Sequence, residues 1–98
     1  MDNVLKDILK DICNIYSGIN DLRHNIFVSD GCDIVRKLNS NINDRLVNIM
    51  YTFLETNSLI IRNKTDGDDL YKLRIDYLNK EISKCNSMLD CISNLTRK

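Results

Sequence analysis

The chain has no proline, tryptophan, alanine or glutamine in 98 residues, and only 3 glycines, at Gly18, Gly31 and Gly67. The glycines stand alone, which excludes a glycine-rich loop that cradles phosphates. His24 is the single histidine. General acid–base chemistry needs a positioned second group beside a histidine, and Arg23-His24 has no paired acid, so no catalytic residue is assigned. No Gly-x-Ser-x-Gly element is present, and no second histidine is available to activate a thiol. The four cysteines, Cys13, Cys32, Cys85 and Cys91, match no zinc spacing. No metal or cofactor is therefore expected, and the chain is read as a non-enzyme.

Charge of one sign is missing too. Lys plus Arg is 14 and Asp plus Glu is 14, for a formal net charge of zero. Phosphate binding usually shows as a basic excess, so nucleic acid is not expected as the main partner, nor is a polybasic membrane anchor. No apolar run approaches the roughly 20 residues that cross a bilayer. The opening Met1-Asp-Asn-Val-Leu-Lys-Asp alternates charge with apolar residues and does not read as a signal peptide. The expected location is cytoplasmic, with reduced thiols as the default there.

What the sequence does hold is Asn and Ile at 13 each and Leu at 12. Acidic residues are nearly all Asp, with Glu only at Glu55 and Glu81. A helical chain without Ala forgoes the strongest helix former. Mutational bias in an AT-rich genome accounts for that better than physics does, and the small size suits a viral or phage protein.

The clearest pattern runs from Leu70 to Leu95. Tyr71, Ile75, Leu78, Ile82, Cys85, Leu89 and Ile92 recur at alternating steps of four and three. That is the spacing of a helix whose seam faces another helix, as in a coiled coil. The helix is expected over 68–94, with Tyr77, Met88, Cys91 and Leu95 widening the seam. Leu5, Ile8, Ile12, Ile15, Ile19, Leu22 and Ile26 repeat the alternation and predict a first helix over about 2–25, with Gly18 as a point of bending or breakage. Between them, Val35, Leu38, Ile42, Leu46, Ile49 and Phe53 predict a second helix from 33 to about 56, continuing to about 63. Ser29-Asp-Gly and Thr65-Asp-Gly-Asp-Asp read as turns with capping side chains. Arg62, Lys64 and Leu73 fall where a calcium loop needs ligands, so the aspartates around Gly67 are read as caps.

These segments predict one all-α domain over 1–98, a small antiparallel bundle of three long amphipathic helices that self-association can complete. Two features exceed what such a bundle hides. Leu9, Cys13 and Tyr16 widen the stripe of the first helix. After Arg45 the second helix is apolar nearly all round, through Val47, Met50, Tyr51 and Leu54, and is expected to be the most buried part of the molecule, in the core or under a partner. Leu9, Cys13, Tyr16, Met50, Tyr51 and Leu54 are accordingly the candidate partner-binding residues, and the expected function is protein–protein interaction as a scaffold or regulator, with a homodimer as the simplest form. The competing reading is a nucleic-acid-associated factor using the basic helix end at Arg62, Lys64, Lys72 and Arg74, with Tyr71 as a stacking surface. Asp66, Asp68, Asp69 and Asp76 are interleaved with that cluster and weaken it.

Overall fold

A computed structural model describes residues 3–28, 33–61 and 68–96. All of them are helical: α1 is Asn3–Val28, α2 is Asp33–Ile61 and α3 is Asp68–Thr96. The three amphipathic segments are thus three helices, each within a few residues of its expected bounds. The extension of α2 past Thr56 occurs as expected. The caps assigned to Ser29, Asp30, Thr65 and Asp66 lie outside the described residues.

A helix of 29 residues is about 43 Å long, and the molecule measures 49 × 18 × 16 Å. Connections of four and six residues cannot run back along such a length, so successive helices are antiparallel. Two ion pairs fix the register of α2 on α3. Arg45 on α2 binds Glu81 on α3, and Arg74 Nη1 on α3 lies 3.1 Å from Glu55 Oε2 on α2. Moving forward along α2 from Arg45 to Glu55 means moving backward along α3 from Glu81 to Arg74. The only two glutamates in the chain are therefore both spent across this one interface.

The core is one cluster. It takes Leu5, Ile8, Ile12 and Ile15 from α1, Val35, Ile42, Leu46, Ile49 and Phe53 from α2, and Leu78, Ile82, Cys85, Leu89 and Ile92 from α3. Each set is a single three–four stripe, as hydrophobic burial along a helix requires. Ile19, Leu22 and Ile26 continue the α1 stripe as half-buried residues. Thr56 is buried one turn past Phe53, and its hydroxyl donates to the Thr52 carbonyl at 2.7 Å, so no polar atom of that side chain is left bare.

Gly18 behaves differently from its expected role. The helix passes through it unbroken. A Cβ at that position would lie 3.0 Å from Leu89 Cδ1 on α3. The glycine lets α1 approach α3 closely, and its helix cost of about 1 kcal/mol is offset by that packing. At the start of α2, Asp33 accepts from Arg36 at 3.1 Å.

Two outcomes are expected in urea unfolding. Gly18→Ala is nearly neutral, because Leu89 yields by a few tenths of an ångström while the helix gains propensity. Gly18→Val lowers stability by about 1–3 kcal/mol, because its branches drive into Leu89. Equal stability of the valine variant and the wild type contradicts close packing at Gly18. In the second test, Arg45→Met alone leaves the Glu81 carboxylate, which is only 13% exposed, with Lys84 at 3.6 Å in place of its cross-helix partner, and costs about 1–3 kcal/mol. Adding Glu81→Met recovers part of that loss, and strict additivity in the double-mutant cycle contradicts the pairing.

Candidate functional site

The three faces of the bundle are not equally closed. α3 packs most extensively on α2 and less on α1, and the contact between α1 and α2 is the thinnest. Several apolar residues that the core does not use gather along that thin contact, while others, Phe27, Ile34, Leu73 and Leu95 among them, are exposed outside that groove. Tyr16 of α1 meets Val47, Met50, Tyr51 and Leu54 of α2 around an open groove of about 290 Å³. Tyr16 is 50% exposed, Val47 57%, Tyr51 75% and Leu54 58%. Met50 is half-buried and packs on the core from the groove floor. A second hollow, lined by Lys6, Leu9, Lys10, Cys13 and Asn14, lies one to two turns earlier on α1.

Of the six residues assigned from the sequence, Tyr16 of α1 and Met50, Tyr51 and Leu54 of α2 come together around the one groove, while Leu9 and Cys13 line the hollow formed by α1 alone. Of the two placements expected for the late part of α2, in the core or under a partner, the core accounts for only one stripe. Leu46, Ile49 and Phe53 are buried, but Val47, Tyr51 and Leu54 point away from the core. The cause is geometric: with α3 on one flank and α1 only lightly in contact on the other, α2 hides a single stripe.

Toward the 29–32 connection the same α1/α2 groove turns polar. Its lining there is Ile19, Asn20, Arg23, Ile26, Asn39 and Asn43, beside Tyr16. The Asn39 carbonyl oxygen is buried without a hydrogen-bond partner. The face thus has an apolar section bounded by polar residues at one end and by Lys6 and Lys10 at the other.

Two features escaped the sequence reading. Val47 belongs to the face as fully as its neighbours. On α3, Leu70, Leu73 and Tyr77 form a shorter exposed stripe at three–four spacing, with Leu73 65% exposed. The spacing was visible, but the stronger seam of the same helix claimed the pattern. The basic helix end fares less well as a site. Arg62 and Lys64 lie outside the described residues, Tyr71 is half-buried, and Arg74 is turned to Glu55 with its side chain only 21% exposed.

No constellation among the described residues brings three or more His, Cys, Asp or Glu side chains together as metal ligands. Cys13, Cys85 and Cys91 are free thiols. Burial pushes the Cys85 thiol above its ordinary pKa, Arg45 opposes that shift, and Glu81 adds to it. No helix among the described residues is long and apolar enough to cross a membrane. The fold defines the chain as a three-helix all-α bundle. No protein-family model, curated protein or solved structure matches it.

Thiol labelling reads this arrangement directly. In the native protein at nanomolar concentration and neutral pH, the exposed Cys13 and Cys91 are both expected to react readily with iodoacetamide. Cys85 reacts slower by about 100-fold or more, because it is buried and held protonated. Peptide mapping by mass spectrometry gives each rate, and fast native labelling of Cys85 contradicts the packed α2/α3 seam.

Proposed function

We propose that the chain is a non-enzymatic protein-interaction module and that the α1/α2 face is its binding surface. The observation that carries this reading is the clustering of Tyr16, Val47, Tyr51 and Leu54, each at least half exposed, around one groove. Exposed apolar side chains scattered singly are ordinary, whereas a contiguous patch of them on a small monomer marks an interface. Tyrosines suit that role, since each offers a large rigid apolar body with a polar tip at little entropic cost. The shape of the face favours an elongated partner. A groove between two helices accepts a third amphipathic helix through residues spaced at three, four and seven. A scaffold or regulatory role follows from such a module, and its composition suits a compact AT-rich genome such as that of a virus or phage.

The nucleic-acid alternative rests on the basic residues near the start of α3. The commitment of Arg74 to Glu55 and the aspartates interleaved there count against it. A photo-crosslinking residue in place of Tyr51 tests the preferred reading in an extract of the source cell. A cross-link to a polypeptide is expected, and it should vanish when Leu54 is also changed to Lys. Absence of any polypeptide cross-link from Tyr51, with cross-links to nucleic acid in its place, sinks the reading.

A further inference from the structure

We propose that the occupant of the α1/α2 face is a second copy of the chain, docked about a two-fold axis parallel to the helices, so that α1 of each protomer lies along α2 of the other. This rests on the reading of that face as a protein-binding surface and adds the identity and orientation of the partner.

Area is the first argument. Leu9, Cys13, Tyr16, Val47, Met50, Tyr51 and Leu54 together present roughly 600 Å² at the sizes and exposures of such side chains. A stable pair takes about 800 Å² from each partner. The Lys6 and Lys10 stems and the Asn14 and Asn43 side chains around the face supply the difference. One patch of this size on each protomer makes an isologous pair, in which the same surface serves both sides.

Charge along the two edges is the second argument, and it selects the axis. Lys6, Lys10 and Cys13 follow one another at four and three along the outer edge of α1, and both lysines are exposed beside the Leu9 hollow. Asp44 and Tyr51 are seven residues apart on the outer edge of α2, with Glu55 one turn further. The α1 edge is basic there, and the late turns of the α2 edge carry Glu55, while Lys37 stands further along that edge, beside Asp44. Because α1 and α2 are antiparallel and joined through residues 29–32, Lys6 and Lys10 stand level with Tyr51 and Glu55. A two-fold axis along the bundle keeps every residue at its own height. It therefore sets the lysines of one protomer against the Glu55 end of the other's α2 edge. Glu55 remains 64% exposed while it binds Arg74, so its carboxylate has room for a second cation. Lys10 meets the ring of the partner's Tyr51, an arrangement that attracts a cation to an aromatic face. An axis across the helices lays α1 on α1 instead and brings the lysines to Asn14–Asn20, where no acidic residue stands.

The result is a four-helix layer, with each α1 antiparallel to the neighbouring α2, closed by apolar residues at its centre and by lysine–glutamate contacts at both margins. Edge charges of this kind choose partner and orientation more than they add affinity.

A charge-swap experiment tests it. By sedimentation equilibrium at tens of micromolar, the wild-type chain should show twice its 11.4 kDa mass. Lys6→Glu with Lys10→Glu opposes acid to Glu55, and Glu55→Lys in a separate protein opposes base to the lysines. Each variant alone should dimerise at least about tenfold more weakly. An equimolar mixture should recover a dimer, because every edge contact between the two variants is again of opposite sign. Helicity by circular dichroism reports folding. Tyr51→Lys, opposed to Lys10, replaces Glu55→Lys if loss of the Arg74 pair unfolds that protein. A monomeric wild type overturns the second copy while the Tyr51 cross-link still decides whether the face binds another protein. A dimer that survives both swaps, with no preference for the mixed pair, overturns the arrangement.

Discussion

The joint between α2 and α3 is the constraint from which the rest of the molecule follows. It has the longest unbroken seam, and it holds both glutamates of the chain in cross-helix pairs with Arg45 and Arg74. The Arg45–Glu81 pair is mostly shielded, and Glu81 also has Lys84 Nζ at 3.6 Å, while Arg45 Nε donates to Asn41 at 3.1 Å. Such a network disfavours sliding by one turn, because every slipped register strands a charge away from water. The Arg74–Glu55 pair, open to solvent on the glutamate side, contributes direction more than stability. With α2 and α3 fixed, α1 has one place left to bury Leu5, Ile8, Ile12 and Ile15. Gly18 brings it close to Leu89, and so closer to α3 than to α2.

That asymmetry makes the open face. Three helices around one core hide about one stripe each, and this chain carries more apolar surface than three stripes hold. The excess is not spread evenly. One cluster of it lies on the flanks of α1 and α2 that the lean of α1 toward α3 leaves apart. Tilting covers part of the flanks, since Leu9 and Met50 pack partly against the core, but Tyr16, Val47, Tyr51 and Leu54 stay at least half exposed. The functional proposal grows from this cluster, because Tyr16, Val47, Tyr51 and Leu54 share one groove, whereas the α3 stripe of Leu70, Leu73 and Tyr77 is shorter.

Much of this was legible in the residue order. The spacing of Tyr71 to Ile92 specified the α3 seam, and Leu5 to Ile15 specified the α1 seam, because burial along a helix leaves a period that survives without any knowledge of neighbours. The flanking residues of the face were legible for the same reason. What was not legible depends on which helix lies beside which face. Gly18 shows its helix cost in the sequence, but the Leu89 side chain that explains it is 71 residues away. Glu55 and Glu81 stood out as the only glutamates, yet their arginine partners follow only once α2 and α3 are in register. The late turns of α2 read as buried because their apolar content is high, and composition does not tell which neighbour is missing.

The central claim is that the α1/α2 face is open in the single chain and covered by a second copy of it. Cys13 lines the α1 hollow one turn before Tyr16, inside the proposed interface, and Cys91 lies exposed on α3, so the protein carries its own reference. The measurement is the ratio of their alkylation rates, mapped by mass spectrometry, from nanomolar to about 100 µM protein. The account predicts that Cys13 slows relative to Cys91 as concentration rises, while Cys91 keeps its rate. A ratio that stays constant over that range, with both thiols fast, contradicts it.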